Sequence, residues 1–362
     1  MSARRPVEVQ IGGRRLELSN LDKVFYPATG FTKGQVIDYY LRISPALLPH
    51  LRDRPLTLKR YPEGVQGAFF YEKRCPSHRP PWVHTEAVRA QEGEIRFCVV
   101  NDLPSLIWAV NLADLEMHTY LHRARAVERP TALVFDLDPG PPADAVQCCE
   151  VALVLKGVFD RLGLACYPKS SGSKGVQVYV PLNTTVGYDD TKPFARAVAE
   201  LLERERPDLV VSSMKKALRA GKVLVDWSQN DRHKTTVCVW SLRARERPTV
   251  SAPLRWEEVT AALRARDAGK ITLDAAAALQ RLERDGDLFA PVLALRQRLP
   301  ALGGLTSSWQ PRPRRAAGAR PSPAPGSDGP RARPSTRRAV AGQRTPPKGG
   351  GHRAPDDGYL SS

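Results

Sequence analysis

The feature that most constrains this chain is an apolar run, Thr131 to Phe135, that ends in Asp136-Leu137-Asp138 and then Pro139-Gly140. In a strand, residues i and i+2 share a face, so the two carboxylates point the same way. The Pro-Gly pair is a turn signal beside them. Paired carboxylates at a sheet edge suit Mg²⁺ or Mn²⁺, hard cations that take oxygen ligands and share them with substrate phosphates. A structural strand capped by an acidic turn would carry the same short motif, so the pair needs support from elsewhere in the chain.

Two later segments supply it. Ser170-Ser171-Gly172-Ser173-Lys174-Gly175 is a small-residue turn with one lysine, and it leads into the alternating run Val176 to Val180. Such turns present backbone N–H groups and a cation, which is what a polyphosphate tail requires. Lys222 to Trp227 reads as a further strand with Asp226 near its end. A third carboxylate from a separate strand is what a two-cation phosphoryl-transfer site needs, because each ion must be held by protein oxygens.

Periodicity places these segments in an α+β or α/β-like domain whose sheet carries the site. Apolar positions at Val36, Ile37, Tyr40, Leu41, Leu47 and Leu48 predict a helix over residues 32–51, with Thr32 as its N-cap. Residues 144–162 predict a second helix. Phe194, Ala197, Val198, Leu201 and Leu202 predict a third, with Pro193 in its first turn.

Charge points to the partner. The formal net charge is +17, and the last 57 residues, from Thr306, hold eleven lysines and arginines against three aspartates. That Pro-, Gly- and Arg-rich stretch has few large apolar residues and predicts a disordered basic tail over 306–362. The body over 18–305 is also basic, which favours nucleic acid over a membrane, since no apolar stretch approaches about 20 residues. Residues 1–17 are expected to be flexible and carry no secretory signal. Six cysteines without a C-x-x-C pair predict reduced thiols in a cytoplasmic, nucleoid-associated protein. A zinc site from Cys75, His78, His84 and Cys98 is a weaker reading because the spacing is irregular.

The motifs Phe135 to Gly140, Ser171 to Gly175 and Val225 to Asn230 resemble those of the polymerase domain of bacterial ATP-dependent DNA ligase D. That domain belongs to the archaeo-eukaryotic primase superfamily and acts in non-homologous end joining. The likeness runs from about residue 18 to 299 and includes Asn20 to Pro27, Lys59 to Pro62, Phe69 to Lys73, Leu115 to His118 and Arg284 to Leu288. It implies a primase-type fold, a mixed sheet in a cleft flanked by helices. It implies that Asp136, Asp138 and Asp226 hold two divalent cations (Mn²⁺ or Mg²⁺), one activating the primer 3′-hydroxyl and one steadying the triphosphate.

The resemblance also assigns nucleotide contacts to Lys59, Arg60, His118, Ser171, Lys174, Gln177, Lys234 and Arg243. It gives Asn20, Lys23 and Lys33 a DNA 5′-phosphate, and Phe69 and Phe70 the template bases. Lys215, Lys216, Arg219 and Lys222 form a basic loop before the third carboxylate, where contact with template or primer is expected. Gln177 departs from the family, which commonly has a histidine there; an amide can donate a hydrogen bond but cannot move a proton.

The implied activity is gap filling and 3′-end extension at DNA breaks from nucleoside triphosphates, with ribonucleotide preference. A DNA end-bridging module with little synthesis is the alternative that Gln177 and the basic tail motivate, and a primer-independent primase shares all three motifs. No K-x-D-G nucleotidyl-lysine motif is present, so the chain is expected to meet Ku and a separate ATP-dependent DNA ligase in trans.

Overall fold

Two glycines near the start of the chain overturn one expectation. Gly12 and Gly13 have φ angles of 53° and 75°, the positive values that a two-residue hairpin turn requires. Strands β1 (Val7–Ile11) and β2 (Arg14–Leu18) pair antiparallel around them, and Leu16 and Leu18 are buried. Within that stretch residues 7–17 are therefore not a flexible leader, because the Gly-Gly turn lets the chain bury apolar side chains from β2. The structure is a computed structural model that describes residues 6–90 and 93–301. The basic tail expected over 306–362 lies outside the described residues.

Strands β3 (Val24–Tyr26) and β4 (Phe31–Thr32) lead into α1 (Lys33–Leu51). Thr32 caps it as the sequence predicts: Gln35 N donates to Thr32 Oγ1 at 3.3 Å and Thr32 N to Gln35 Oε1 at 2.8 Å, satisfying two otherwise orphaned donors. Strands β5 (Leu56–Arg60), β6 (Phe70–Glu72), β7 (Thr85–Ala90) and β8 (Gly93–Cys98) follow, then α2 (Leu103–Asn111) and β9 (Asp114–Tyr120). Helices α1 and α2 bury Val36, Tyr40, Leu47, Leu106, Ile107 and Val110 in one core with Leu58, Leu115 and Met117 of this sheet.

The second sheet comes from the middle of the chain. Strand β10 (Ala132–Pro139) and helix α3 (Ala145–Arg161) precede β11 (Tyr167–Ser170), β12 (Val176–Pro181) and α4 (Tyr188–Glu205); β13 (Val210–Val211) and β14 (Val223–Asp226) complete it. The strand order is β11-β12-β10-β14-β13, and only β13 and β14 run parallel, so the sheet is mixed. Helix α3 buries Cys148, Val151, Leu155 and Phe159 against Phe135 and Leu137. Helix α4 begins earlier than predicted, so Pro193 falls in its second turn rather than its first and leaves one helical hydrogen bond unmade.

Strand β15 (Thr235–Val237) then crosses back to pair with β9, giving the first sheet the order β15-β9-β5-β8-β7 with β6 beside β5. Strand β16 (Thr249–Val250), α5 (Trp256–Ala265), β17 (Leu273–Asp274), α6 (Ala275–Asp285) and α7 (Pro291–Ala294) finish the described residues. The return segment ties the sheets together: Ser170 N donates to Ala252 O and Trp240 N to Ser251 O.

Cysteine usage needs a correction. Cys75 and Cys98 form a disulfide, so neither is a free thiol and neither sulfur can act as a zinc thiolate. The loop after β6 folds back onto β8, where Cys75 N donates to Arg96 O at 2.7 Å, and this brings the two sulfurs together. Cys148, Cys149, Cys166 and Cys238 are buried free thiols, as expected. No described helix is long and apolar enough to cross a membrane.

Candidate active site

Strand alternation builds the acidic face. Phe135 and Leu137 are fully buried toward α3, which turns Asp136 and Asp138 to the other side of β10. Antiparallel register then sets Asp136 directly opposite Asp226 of β14, and such cross-strand partners carry side chains on one face about 4.5–5.5 Å apart. The same row continues through Gln177 of β12 to Lys169 of β11. The three carboxylates, spread over 91 positions of sequence, thus share one surface.

A side chain locks that register. Asn230, fully buried, accepts from Val134 N at 2.9 Å and donates to Val134 O at 2.7 Å and Trp227 O at 2.9 Å. Asp226 caps the short turn Trp227–Gln229 between them: Oδ1 accepts from Ser228 N at 2.8 Å and Ser228 Oγ at 2.5 Å, and Oδ2 from Gln229 Nε2 at 2.9 Å. Lys234 Nζ donates to Ser228 Oγ at 2.5 Å, one hydroxyl away from Asp226.

Electrostatics fit a cation site. Burial, then Asp138 and then Asp226, push the Asp136 carboxyl well above its usual range; the Gln177 amide and Lys169 oppose this. Asp138 is exposed at its tip yet hemmed by protein, and burial and the Asp226 charge raise it against Arg219, Arg243 and Lys174. Like charges so placed disfavour one another's ionised form, a repulsion that a bound cation would relieve, and an all-oxygen set matches Mg²⁺ or Mn²⁺. Among the described residues no group of three or more His, Cys, Asp or Glu side chains is arranged so that it could hold a metal ion, and Asp226 is turned toward its own capping partners.

Close approach explains the motif glycines. A Cβ on Gly175 would lie 2.0 Å from Leu137 O, and one on Gly140 would lie 2.0 Å from Arg219 O. The lysine turn therefore rests against the acidic strand, and the basic loop against the Pro-Gly turn. Gly140 N donates to Lys222 O at 2.8 Å and Gly221 N to Gly140 O at 3.0 Å. Arg219 is thereby drawn near enough to Asp138 to act on it, and Lys222 lies beside Gly140, whereas Lys215 and Lys216 stay exposed at the loop's outer part. Ser171 is buried and accepts from Ser173 N and Gly175 N at 3.2 and 3.0 Å, so it braces the turn while its own proton remains to be donated. Lys174 is exposed at the tip. Gln177 is buried, and its Oε1 has no hydrogen-bond partner.

Three of the remaining nucleotide candidates, Lys59, His118 and Arg243, converge on a residue to which sequence reasoning gave no role. Glu116 of β9 lies 3.2 Å from Lys59 Nζ, 3.0 Å from His118 Nε2 and 3.3 Å from Arg243 Nε, and it accepts from Ala244 N at 2.9 Å. Burial alone would raise its carboxyl, but His118, Arg243 and Lys59 outweigh burial and hold it well below the usual range. Burial holds His118 below its usual value, with Glu116 opposing. The available signal was charge at Asp114, Glu116 and His118 alternating with apolar Leu115 and Met117. Arg60 is occupied structurally: Nε donates to Leu112 O and Nη1 to Glu72, each at 2.7 Å. Phe69 and Phe70 are 47% and 44% exposed, too open for core strand.

Asn20, Lys23 and Lys33 also come together. Lys23 N donates to Asn20 O and Lys33 N to Lys23 O, with Asn20 in a left-handed conformation. Lys33 is buried rather than superficial; its ammonium donates to Ser19 O and Asn111 Oδ1, both at 2.8 Å. Burial, with Lys23 and Arg60 nearby, lowers its pKa to about 8.

Comparison with known proteins identifies relatives of the whole domain. The family described as LigD, primase-polymerase domain, matches residues 32–289. The chain is 41% identical over 280 residues to the multifunctional non-homologous end joining protein LigD of Mycolicibacterium smegmatis, covering 77% of this chain and 36% of that protein. It is 33% identical over 250 residues to the bifunctional LigD of Bacillus subtilis, covering 69% and 40%. Little more than a third of those relatives' length is thus spanned. A solved structure, the polymerase domain from Mycobacterium tuberculosis Ligase D in complex with DNA, superposes with a TM-score of 0.72 at 39% identity, covering 78% of this chain and 99% of that one.

Proposed function

Because the chain belongs to the LigD primase-polymerase domain family, nucleotidyltransferases of the archaeo-eukaryotic primase superfamily, we propose that it extends 3′ ends and fills gaps at DNA breaks during non-homologous end joining. The observation that carries this reading is the register of Asp136 against Asp226, with Asp138 on the same face and Lys174, Arg219 and Arg243 acting on it electrostatically. Two divalent cations bound there would lower the pKa of the primer 3′-hydroxyl and steady the departing pyrophosphate.

The protein supplies the surroundings. Asp136, Asp138 and Asp226 furnish oxygen ligands. Lys174, Lys234 and Arg243 line the path of the triphosphate, the guanidinium suiting bidentate contact with phosphate. Lys59 and His118 sit together on the nucleotide side, Arg60 being held by Leu112 and Glu72, and Phe69 and Phe70 present rings to template bases. Asn20, Lys23 and Lys33 form a small basic site for the 5′-phosphate across the gap, and Arg219 and Lys222 face the duplex. In this reading ribonucleotides are preferred, and end binding by Ku and sealing by an ATP-dependent ligase accompany the reaction.

Primer extension on a gapped duplex carrying a 5′-phosphate tests this, with ribo- and deoxyribonucleotides run side by side. Incorporation should disappear in Asp136→Ala and in Asp226→Ala. Activity surviving both would refute the ligand assignment, whereas tight 5′-phosphate-dependent binding without synthesis would favour an end-bridging role.

A further inference from the structure

Glu116 stands at the middle of the nucleotide pocket, although no step of nucleotide addition requires a carboxylate there. Its side chain is 2% exposed. A buried ion pair is seldom needed for stability, since well-packed apolar groups of the same volume serve as well. Its partners, however, come from three separate stretches of chain: Lys59 from β5, His118 from β9 and Arg243 from the segment after β15.

Each partner also reaches outward. The Lys59 ammonium lies 4.6 Å from the Phe69 ring centroid and 5.4 Å from those of Tyr61 and Tyr71, a cage of three aromatic faces. Arg243 Nη1 donates to Ser171 O in the phosphate-binding turn. The His118 ring meets Tyr71 edge-on at 5.9 Å. One carboxylate thus joins the exposed aromatic segment to the turn that precedes β12 and rests against the acidic strand.

We propose that Glu116 is a positioning residue that fixes Lys59 and Arg243 as a preorganised pair of cations for the triphosphate of the incoming nucleotide. This rests on the polymerase reading above. Two effects of the carboxylate oppose each other. Its negative charge repels a triphosphate, but without it Lys59 and Arg243 repel one another and must be ordered at the moment of binding. Burial and the charges of Arg243 and Arg245 already weaken protonation of Lys59, and Glu116 counteracts them. Loss of Glu116 therefore leaves two cations that repel one another without the partner that orders them, and in this proposal the ordering penalty outweighs the relief from the lost negative charge. Ordering one long side chain weakens binding by roughly two- to tenfold, so releasing two should weaken it by about tenfold or more.

The test uses the full chain with Mn²⁺ and a non-hydrolysable nucleoside triphosphate, read by equilibrium titration. Glu116→Gln keeps an acceptor for Ala244 N and should raise Kd about tenfold; in primer extension KM should rise while kcat changes by less than about threefold. Lys59→Met and Arg243→Met should be strongly non-additive in the unmodified chain and additive once Glu116→Gln is present. A purely structural role would lower the melting temperature and leave that coupling intact. Unchanged or tighter triphosphate binding by Glu116→Gln, or coupling that persists, overturns the proposal. If that variant does not fold, Glu116→Asp, which keeps the charge but shortens its reach, should shift Kd in the same direction, and an unshifted Kd overturns it equally. Failure of the unmodified chain to bind the triphosphate would instead overturn the polymerase reading, and the role of Glu116 with it.

Discussion

Replacing Gly175 by alanine should separate the geometry of the acidic strand from its chemistry. An added Cβ would lie 2.0 Å from Leu137 O, where real methyl carbons keep at least 3.0 Å. Both atoms belong to the sheet, so relief requires about 1 Å of movement between the start of β12 and β10 rather than rotation of a flexible side chain. Leu137 separates Asp136 from Asp138, and any shift carries the carboxylates with it. Overpacking of this kind costs about 1–3 kcal/mol of stability. A 1 Å misplacement at a reacting centre costs about 100-fold in rate. Gly175→Ala should therefore melt about 2–10 °C lower yet fill gaps about 100-fold more slowly at temperatures where it is fully folded. Gly157→Ala in α3 is the control: its nearest neighbour atom is Arg161 Nη1 at 3.9 Å, so it should gain about 0.5–1 kcal/mol and keep its rate. Melting curves and single-turnover gap filling read both. A Gly175→Ala rate within about threefold of the unmodified chain would falsify the idea that this contact positions the carboxylates.

Two further outcomes follow from buried groups. Burial lowers the Lys169 pKa from 10.5 to about 7, a drop corresponding to about 5 kcal/mol against the charged form. Between pH 7 and 10.5 the unfolded chain then holds more protons than the folded one, so this lysine makes stability rise with pH across that window. Lys169→Met would leave Val237 O without its donor, an opposing loss of about 1–3 kcal/mol. Urea unfolding should show a net gain of about 1–3 kcal/mol at pH 7 and a flatter pH slope; a lower midpoint with the slope intact would contradict this. The disulfide closes a separation of 23 residues, so Cys75→Ser with Cys98→Ser should lose about 2–4 kcal/mol. Equal urea midpoints with and without reductant would show that it contributes nothing.

Legibility from sequence tracked how local each signal is. Helices α1 and α3 carry their caps, Thr32 and Asp144, next to periodic apolar faces, and both were readable to within a residue or two. The acidic trio was readable because each carboxylate ends a strand-like run. Register, which decides whether they meet, came only from the folded sheet. The hairpin at Gly12-Gly13 was missed although a Gly-Gly pair is itself a two-residue turn signal. Cys75 and Cys98 meet through a loop path that spacing does not encode. Glu116 and Lys169 are the clearest misses, since charged residues inside strands read as solvent-facing until their neighbours are known. Lys33 is the converse, an ordinary-looking surface lysine that proves to be 4% exposed.

Asn230 imposes a rule on how this segment tolerates change in length. Its amide completes the β10–β14 ladder where backbone pairing stops, so the four-residue interval from Asp226 to Asn230 works as a ruler between carboxylate and clamp. Lengthening or shortening that interval by one residue would force a choice between keeping the clamp and keeping Asp226 opposite Asp136. Conservative exchanges within the interval should be absorbed, while single-residue insertions or deletions there should silence synthesis in a chain that still folds.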